Sequence, residues 1–272
     1  MNEDKLLNKL YNAKLGRIIL KILILPSTSK FVGLFMNSKL SKILINKFIK
    51  KNNINMNEFE DKEYTSFNDF FTRKKINIEI DNNKKSFVSP CDGYLKVYDI
   101  KEDSTFNIKK SIYTLEKLLE NKELSNEYKN GYCLIFRLTP KEYHRYCYID
   151  EGTKEENIKI KGKLHTVRPV ALDNYKVYHT NSREYTILNT KNFDEIIQIE
   201  VGALLVGKIE NYHETYTFKK GEEKGKFLYG GSTIILLIKN NKIKINKNII
   251  DNSKKDKETL VNIGEKIGDK YE

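Results

Sequence analysis

From about residue 85 onward, apolar and β-branched residues come in short runs separated by turn signals, and this texture limits the fold more than any other feature. The runs are Tyr94–Tyr98, Tyr132–Leu138, Ile158–Leu164, Tyr185–Leu188, Ile196–Val201, Leu204–Ile209, Thr233–Ile238 and Ile243–Ile245. One clear helix interrupts them, over Ser111–Asn121 with Ser111 as its N-cap, and a second short one is expected over Lys257–Ile267. The strand–helix alternation of a doubly wound parallel sheet is missing. The expected fold class is α+β: a β-rich antiparallel body, sandwich-like or barrel-like, with amphipathic helices before it. A chain of 272 residues with 39% hydrophobic content suits one main core with an appendage. No internal repeat or low-complexity linker is evident, and Lys254–Lys257 reads as a short charged turn.

The appendage is basic and apolar at once. The net charge is +12, and residues 1–56 hold +9 of it, eleven bases against Glu3 and Asp4. Such an excess points to an anionic partner: nucleic acid, an anionic membrane or a phosphorylated substrate. Between the bases stand Ile18-Ile19-Leu20, Ile22–Leu25 up to Pro26, and Phe31–Met36; Leu40, Leu44 and Phe48 then follow at helical spacing. No run approaches the roughly 20 apolar residues of a membrane span. Glu3 and Asp4 ahead of the apolar run argue against a signal peptide. Two readings stand side by side: helices lying on an anionic bilayer with snorkelling lysines, and a helical subdomain packed on the body. Nucleic acid fits less well, because the bases alternate with Ile and Leu rather than with stacking aromatics.

Candidate chemistry is sparse. The three cysteines, Cys91, Cys133 and Cys147, lack the spacing of a disulfide framework or a four-cysteine zinc site, and no metal site is expected. Of four histidines, His144 keeps the most company, in Lys141-Glu142-Tyr143-His144-Arg145-Tyr146-Cys147-Tyr148 just after an expected buried strand. This stretch reads either as an acid–base or anion site or as a polar strand end. Ser89-Pro90-Cys91-Asp92-Gly93 is a turn entering a strand, in which Asp92 can cap or orient a histidine. Tyr229-Gly230-Gly231-Ser232-Thr233 precedes the apolar run Ile234–Ile238, a glycine pair where an ordinary turn or a closely approached backbone both fit.

Taken in order, these pieces form a specific set. They are Ser66-Phe67-Asn68-Asp69-Phe70-Phe71-Thr72-Arg73, Ser89–Gly93, Tyr143-His144-Arg145, Leu164-His165-Thr166-Val167-Arg168-Pro169 and Asn181-Ser182-Arg183. Val201–Gly207, Lys220–Glu223 and Phe227–Thr233 complete it. In this order the sequence resembles phosphatidylserine decarboxylase, a pyruvoyl-dependent, membrane-associated enzyme family, from about residue 64 to the end. The domains that follow are a basic membrane-associating helical region, 1–63, and a decarboxylase body, 64–272.

The resemblance implies decarboxylation of phosphatidylserine to phosphatidylethanolamine and CO2 through a Schiff base to a covalent pyruvoyl group. That group would arise from Ser232, whose hydroxyl attacks the carbonyl of Gly231; elimination then breaks the chain into 1–231 and 232–272, which stay associated. An Asp–His pair activates the serine in the family, and Asp92 and His144 match it. The family block often carries a second histidine where Cys147 stands here, so His144 serves both steps or His165 supplies the missing imidazole; Cys147 itself is a weaker candidate. Arg137, Arg145 and Arg168 are candidates for the lipid phosphate and the carboxylate. The implied partners are the phosphatidylserine substrate and an anionic phospholipid membrane, approached peripherally from the cytoplasmic face, with a homo-oligomer compatible and no nucleic acid. Two alternatives are a catalytically silent membrane-binding module, disabled at Cys147, and a pyruvoyl decarboxylase of a soluble amino acid.

Overall fold

The computed structural model describes residues 3–108, 111–172, 175–204, 208–229 and 232–271. Its organising element is the strand Ser232–Ile238, buried at every position. Successive side chains of a strand point to opposite faces, so Ile235 and Leu237 enter one apolar layer while Ile234, Leu236 and Ile238 enter another. Each such side chain contributes about 1.5–3 kcal/mol by leaving water.

Counted along the chain this strand is β14. It lies in an open nine-stranded sheet in the order β12 (Tyr216–Phe218), β7 (Gly152–Lys154), β9 (Arg183–Thr190), β10 (Asp194–Val201), β14, β5 (Tyr132–Leu138), β2 (Gly93–Asp99) and β16 (Thr259–Val261), with β8 (Ile158–Ile160) also on β9. A three-stranded sheet of β1 (Ser86–Val88), β17 (Lys266–Lys270) and β15 (Ile243–Ile245) covers one face. A second joins β11 (Ile209–Asn211), β13 (Glu223–Phe227) and β6 (Arg145–Cys147), and β3 (Thr105–Ile108) pairs with β4 (Ser111–Thr114). Every ladder between these strands is antiparallel. The α+β class is as expected, and the main sheet is open rather than closed into a barrel.

Helices cover the other face, except that Ile249 of the helix Lys247–Lys254 joins the same layer as Ile234 and Leu236, and the helices Ile45–Asn52 and Phe67–Phe71 form a cluster of their own. Those before the body are α1 (Glu3–Asn12), α2 (Lys14–Leu23), α3 (Pro26–Asn37), α4 (Ile45–Asn52) and α5 (Phe67–Phe71), with a 3-10 turn at Lys39–Leu44. Within the body follow α6 (Leu115–Leu119), α7 (Lys122–Asn126), α8 (Pro169–Leu172), α9 (Val177–Thr180) and α10 (Lys247–Lys254). Tyr11 and Leu20, each 2% exposed, join the same layer as Ile235 and Leu237. Gly16 lets α1 and α2 close on each other, since a Cβ there would lie 2.1 Å from the Lys9 carbonyl oxygen. The helices nevertheless leave an apolar face in solvent, with Phe31 74%, Leu34 69% and Ile43 79% exposed. The basic N-terminal region therefore packs on the body along one stripe and presents grease along another. No single helix is long and apolar enough to cross a membrane; α2 and α3 reach that composition only together, bent by 70°.

Several expectations about the body need correction. Ser111 caps no helix: it starts β4, and Thr114 caps α6 by accepting the Lys117 N–H. Ile112 faces solvent while Tyr113 is buried, the alternation of a hairpin edge. The helix expected over Lys257–Ile267 is two strands, β16 and β17, joined through Gly264 at φ +81°, a conformation that no helix continues. The real helix there is α10, just upstream. Ile158–Leu164 is a strand only as far as Ile160. Of Leu204–Ile209, residues 205–207 lie outside the described residues, and the strand β11 begins at Ile209.

Candidate active site

Ser232 opens β14 and faces Leu138 across the ladder to β5. It is fully buried, and its Oγ has no hydrogen-bond partner among the described residues. An unpaired buried hydroxyl costs about 1–3 kcal/mol, so its presence at the head of a well-paired strand calls for a reason. The neighbouring Thr233 Oγ1 is unpaired in the same sense. Gly231, the expected other half of the cleavage site, lies outside the described residues, as does Gly230.

His144 sits on the turn between β5 and β6, wholly buried. Its Nδ1 is 2.8 Å from the Glu142 carbonyl oxygen. A carbonyl only accepts, so Nδ1 carries a proton and Nε2 is the nitrogen left to exchange one. Burial pushes the Glu142 carboxyl above its ordinary range, against the Thr139 N–H that it accepts at 2.6 Å.

Two ties bring the segment entering Ser232 to this imidazole. The Phe227 N–H at the end of β13 donates to the His144 carbonyl oxygen at 2.9 Å. Two residues later the Tyr229 N–H donates to Asn68 Oδ1 at 2.9 Å, and the Tyr229 ring meets Phe67 and Phe71 edge-on, 5.0 and 5.4 Å between centroids. Phe71 also lies against the His144 ring at 4.1 Å. These three residues come from α5, a short helix started by Ser66, whose Oγ accepts the Asp69 N–H. The Ser66–Arg73 motif thus joins His144 to the Tyr229 segment, a role the sequence motif alone did not assign. Only its phenylalanines spaced for one helix face hinted at it.

Asp92 occupies the turn before β2, and both of its oxygens are engaged: Oδ1 accepts the Ile263 N–H at 2.9 Å and Oδ2 pairs with Lys75 Nζ at 2.6 Å. Lys75 in turn lies over the Tyr143 ring, next to His144. The Pro90 carbonyl accepts the Cys147 N–H at 2.9 Å, which seats the Asp92 turn against β6. Burial pushes the Cys147 thiol up to about 12. His165 lies under α1: its Nδ1 is 3.3 Å from the Tyr11 hydroxyl and its ring stacks on Tyr175 at 4.3 Å. Asn181 clamps that stretch, accepting the His165 N–H and donating to the His165 and Gly202 carbonyls.

A cavity of about 330 Å³ opens beside these groups, lined by Arg137–Pro140 at the end of β5, by Thr166–Arg168, Leu204 and Tyr229, and by leucines of α1 and α2. Leu138 both pairs with Ser232 and lines this cavity. Of the three candidate arginines, Arg137 is held by Glu258 through Nε at 2.9 Å and Nη2 at 2.6 Å, and Arg145 by Glu223 and the Thr72 carbonyl. Arg168 also lines the cavity.

Comparison with known proteins gives a consistent result. The family model described as phosphatidylserine decarboxylase matches residues 67–269. Phosphatidylserine decarboxylase proenzyme 2 of Clostridium acetobutylicum is 52% identical over 263 residues, 96% of this chain and 90% of that protein. The phosphatidylserine decarboxylase proenzyme of Clostridium kluyveri is 40% identical, covering 99% of this chain and 94% of its own length, and that of Clostridium tetani 41%, covering 98% and 93%. The chain belongs to the phosphatidylserine decarboxylase family and is an enzyme of the carboxy-lyase class.

Proposed function

We propose that this enzyme converts phosphatidylserine to phosphatidylethanolamine and CO2 at an anionic membrane surface, with a pyruvoyl group made from its own Ser232. The observation that carries the reading is the Ser232 hydroxyl: buried, unpartnered among the described residues, and set at the end of the segment that α5 ties to His144. These residues fit the making of such a group, because a hydroxyl without competing hydrogen bonds is available to attack its own preceding carbonyl.

In self-cleavage, Ser232 Oγ loses its proton to His144 Nε2 and bonds to the Gly231 carbonyl carbon. The Gly231–Ser232 amide bond breaks, and its nitrogen takes up a proton, leaving an ester. Loss of the Ser232 α-proton then expels the Gly231 carboxylate, and water replaces the nitrogen, which leaves as ammonia. Asp92, anchored by Lys75 and the Ile263 N–H, supports the loop that bears His144. Once made at position 232, the pyruvoyl group would supply an electrophilic carbonyl for the substrate amine and an electron sink for the decarboxylation. His144 returns a proton to the substrate carbon. Arg168, which lines the 330 Å³ cavity, binds the phosphodiester there. The leucines of α1 and α2 that line the same cavity support an approach to it from the bilayer, on which the apolar face of the N-terminal helices rests with its lysines at the headgroups.

Intact-mass measurement tests the reading. Two fragments ending at Gly231 and beginning with a pyruvoyl group at position 232 are expected, and a single chain from Ser232→Ala. One uncut, inactive chain from the unsubstituted protein would refute it and leave a membrane-binding module. Carbon dioxide released from free serine as fast as from phosphatidylserine vesicles would instead assign a soluble substrate.

A further inference from the structure

A buried amide holds the backbone before the cleavage site from one side. Asn68 is 4% exposed, and its Oδ1 accepts the Tyr229 N–H at 2.9 Å. Its Nδ2 donates to Asn37 Oδ1, also at 2.9 Å, at the last residue of α3. Asn68 is itself fixed by α5: the Ser41 hydroxyl accepts the Phe67 N–H at 2.8 Å, and the Thr72 hydroxyl donates to the Asn68 carbonyl at 2.9 Å. On the other side of the cleavage site, Ser232 is pinned by the β5 ladder. Only Gly230 and Gly231 stand between these two anchors, so the path from Tyr229 to Ser232 spans three Cα steps of about 3.8 Å each.

We infer that Asn68 is a positioning residue for self-cleavage: by holding the Tyr229 N–H it sets how the Gly231 carbonyl is offered to Ser232 Oγ. The inference rests on the pyruvoyl reading above and adds no bond-making role for Asn68. The bonds made and broken remain those of Ser232 and Gly231. Errors of about 1 Å in such an approach cost about 10²-fold in rate, so one hydrogen bond at the entrance to the segment is enough to matter.

The test is a time course of chain cleavage in cell-free synthesis, read by gel and intact mass, for the full chain and two variants. Asn68→Leu removes the acceptor at similar volume and is expected to slow cleavage by about tenfold or more. Asn68→Asp keeps an acceptor for Tyr229, and the Asn37 amide can turn to donate to it, so cleavage within about threefold of the unsubstituted rate is expected. Melting temperatures are compared in a Ser232→Ala background, where every chain is uncut. Slowing in Asn68→Leu with rescue in Asn68→Asp, at matched melting temperatures, supports the assignment. Unchanged cleavage in Asn68→Leu overturns it, as does equal slowing in both variants with a lowered melting temperature, because lost packing then explains the effect. An unsubstituted chain that never cleaves refutes the pyruvoyl reading itself, and this inference with it.

Discussion

Cys147 packs among Phe59, Tyr143 and Ile263, and a thiol pushed up to about 12 stays protonated at neutral pH. It takes no proton from Ser232, and its place is that of a small apolar side chain. Cys147→Ala is therefore expected to self-cleave at close to the unsubstituted rate while losing about 1 kcal/mol of stability, checked by mass time course and denaturant melting. The same buried neighbourhood has a different consequence at His144, whose Nδ1 proton is committed to the Glu142 carbonyl. His144→Gln is expected to slow cleavage by about 10²-fold or more, because an amide does not replace an imidazole as a base. Normal cleavage combined with lost CO2 release would move the cleavage base elsewhere and make His165→Gln the next variant. His165 enters that contest from a weaker position, since its neighbours are Tyr11 and Tyr175.

At the scale of elements, α1 to α4 divide their apolar residues between two environments. Tyr11, Leu20 and Ile24 belong to the core of the body, and their loss would open cavities there. Phe31 and Leu34 on α3 touch water instead. The double variant Phe31→Ser/Leu34→Ser is expected to change folding stability by no more than about 0.5 kcal/mol per site. Its partitioning onto vesicles containing anionic lipid should fall by about 10²-fold or more, each exposed side chain contributing about 1.5–3 kcal/mol if it is buried in the bilayer. Sedimentation with vesicles at low and high salt measures this; undiminished binding would take α3 out of the contact surface. The even choice between anchor and packed subdomain was the natural outcome of reading a helical pattern alone. A helix with apolar residues over much of its circumference satisfies both, and only its neighbours show which stripe is covered.

Across the whole molecule, burial of His165 and His179 ties stability to pH. Burial pushes both imidazoles down to about 4, from an ordinary value of 6.5. Between those values the unfolded chain binds protons that the folded chain does not, so stability falls as pH drops from 6.5 towards 4 and is unaffected by these groups above that window. Glu142 and Glu184, raised by burial, act in the opposite sense. The expected result is a melting temperature that declines less steeply over this window in His165→Gln/His179→Gln than in the unsubstituted chain. Parallel curves would show that neither imidazole carries the linkage.

What was legible in the sequence is what short-range pattern encodes. The runs Tyr132–Leu138 and Ile234–Ile238 read directly as strands, because a buried strand needs a continuous apolar stretch whichever partners it finds. The lack of strand–helix alternation excluded a parallel sheet for the same reason. Segments such as Ser111–Thr114 and Lys257–Ile267 were misread, since stretches this short take helix or strand according to the surface they meet. The ordered motifs single out Ser232, Asp92 and His144 as candidates without their surroundings. That Asn68 holds Tyr229 across 161 positions, and that Asp92 meets Lys75 and Ile263, are contacts between distant parts of the chain. Local pattern marks which residues need burial and which are candidates for chemistry. Who faces whom is set by tertiary packing, because side chains far apart in the chain are brought to hydrogen-bond distance by the packing of whole elements, not by any local preference.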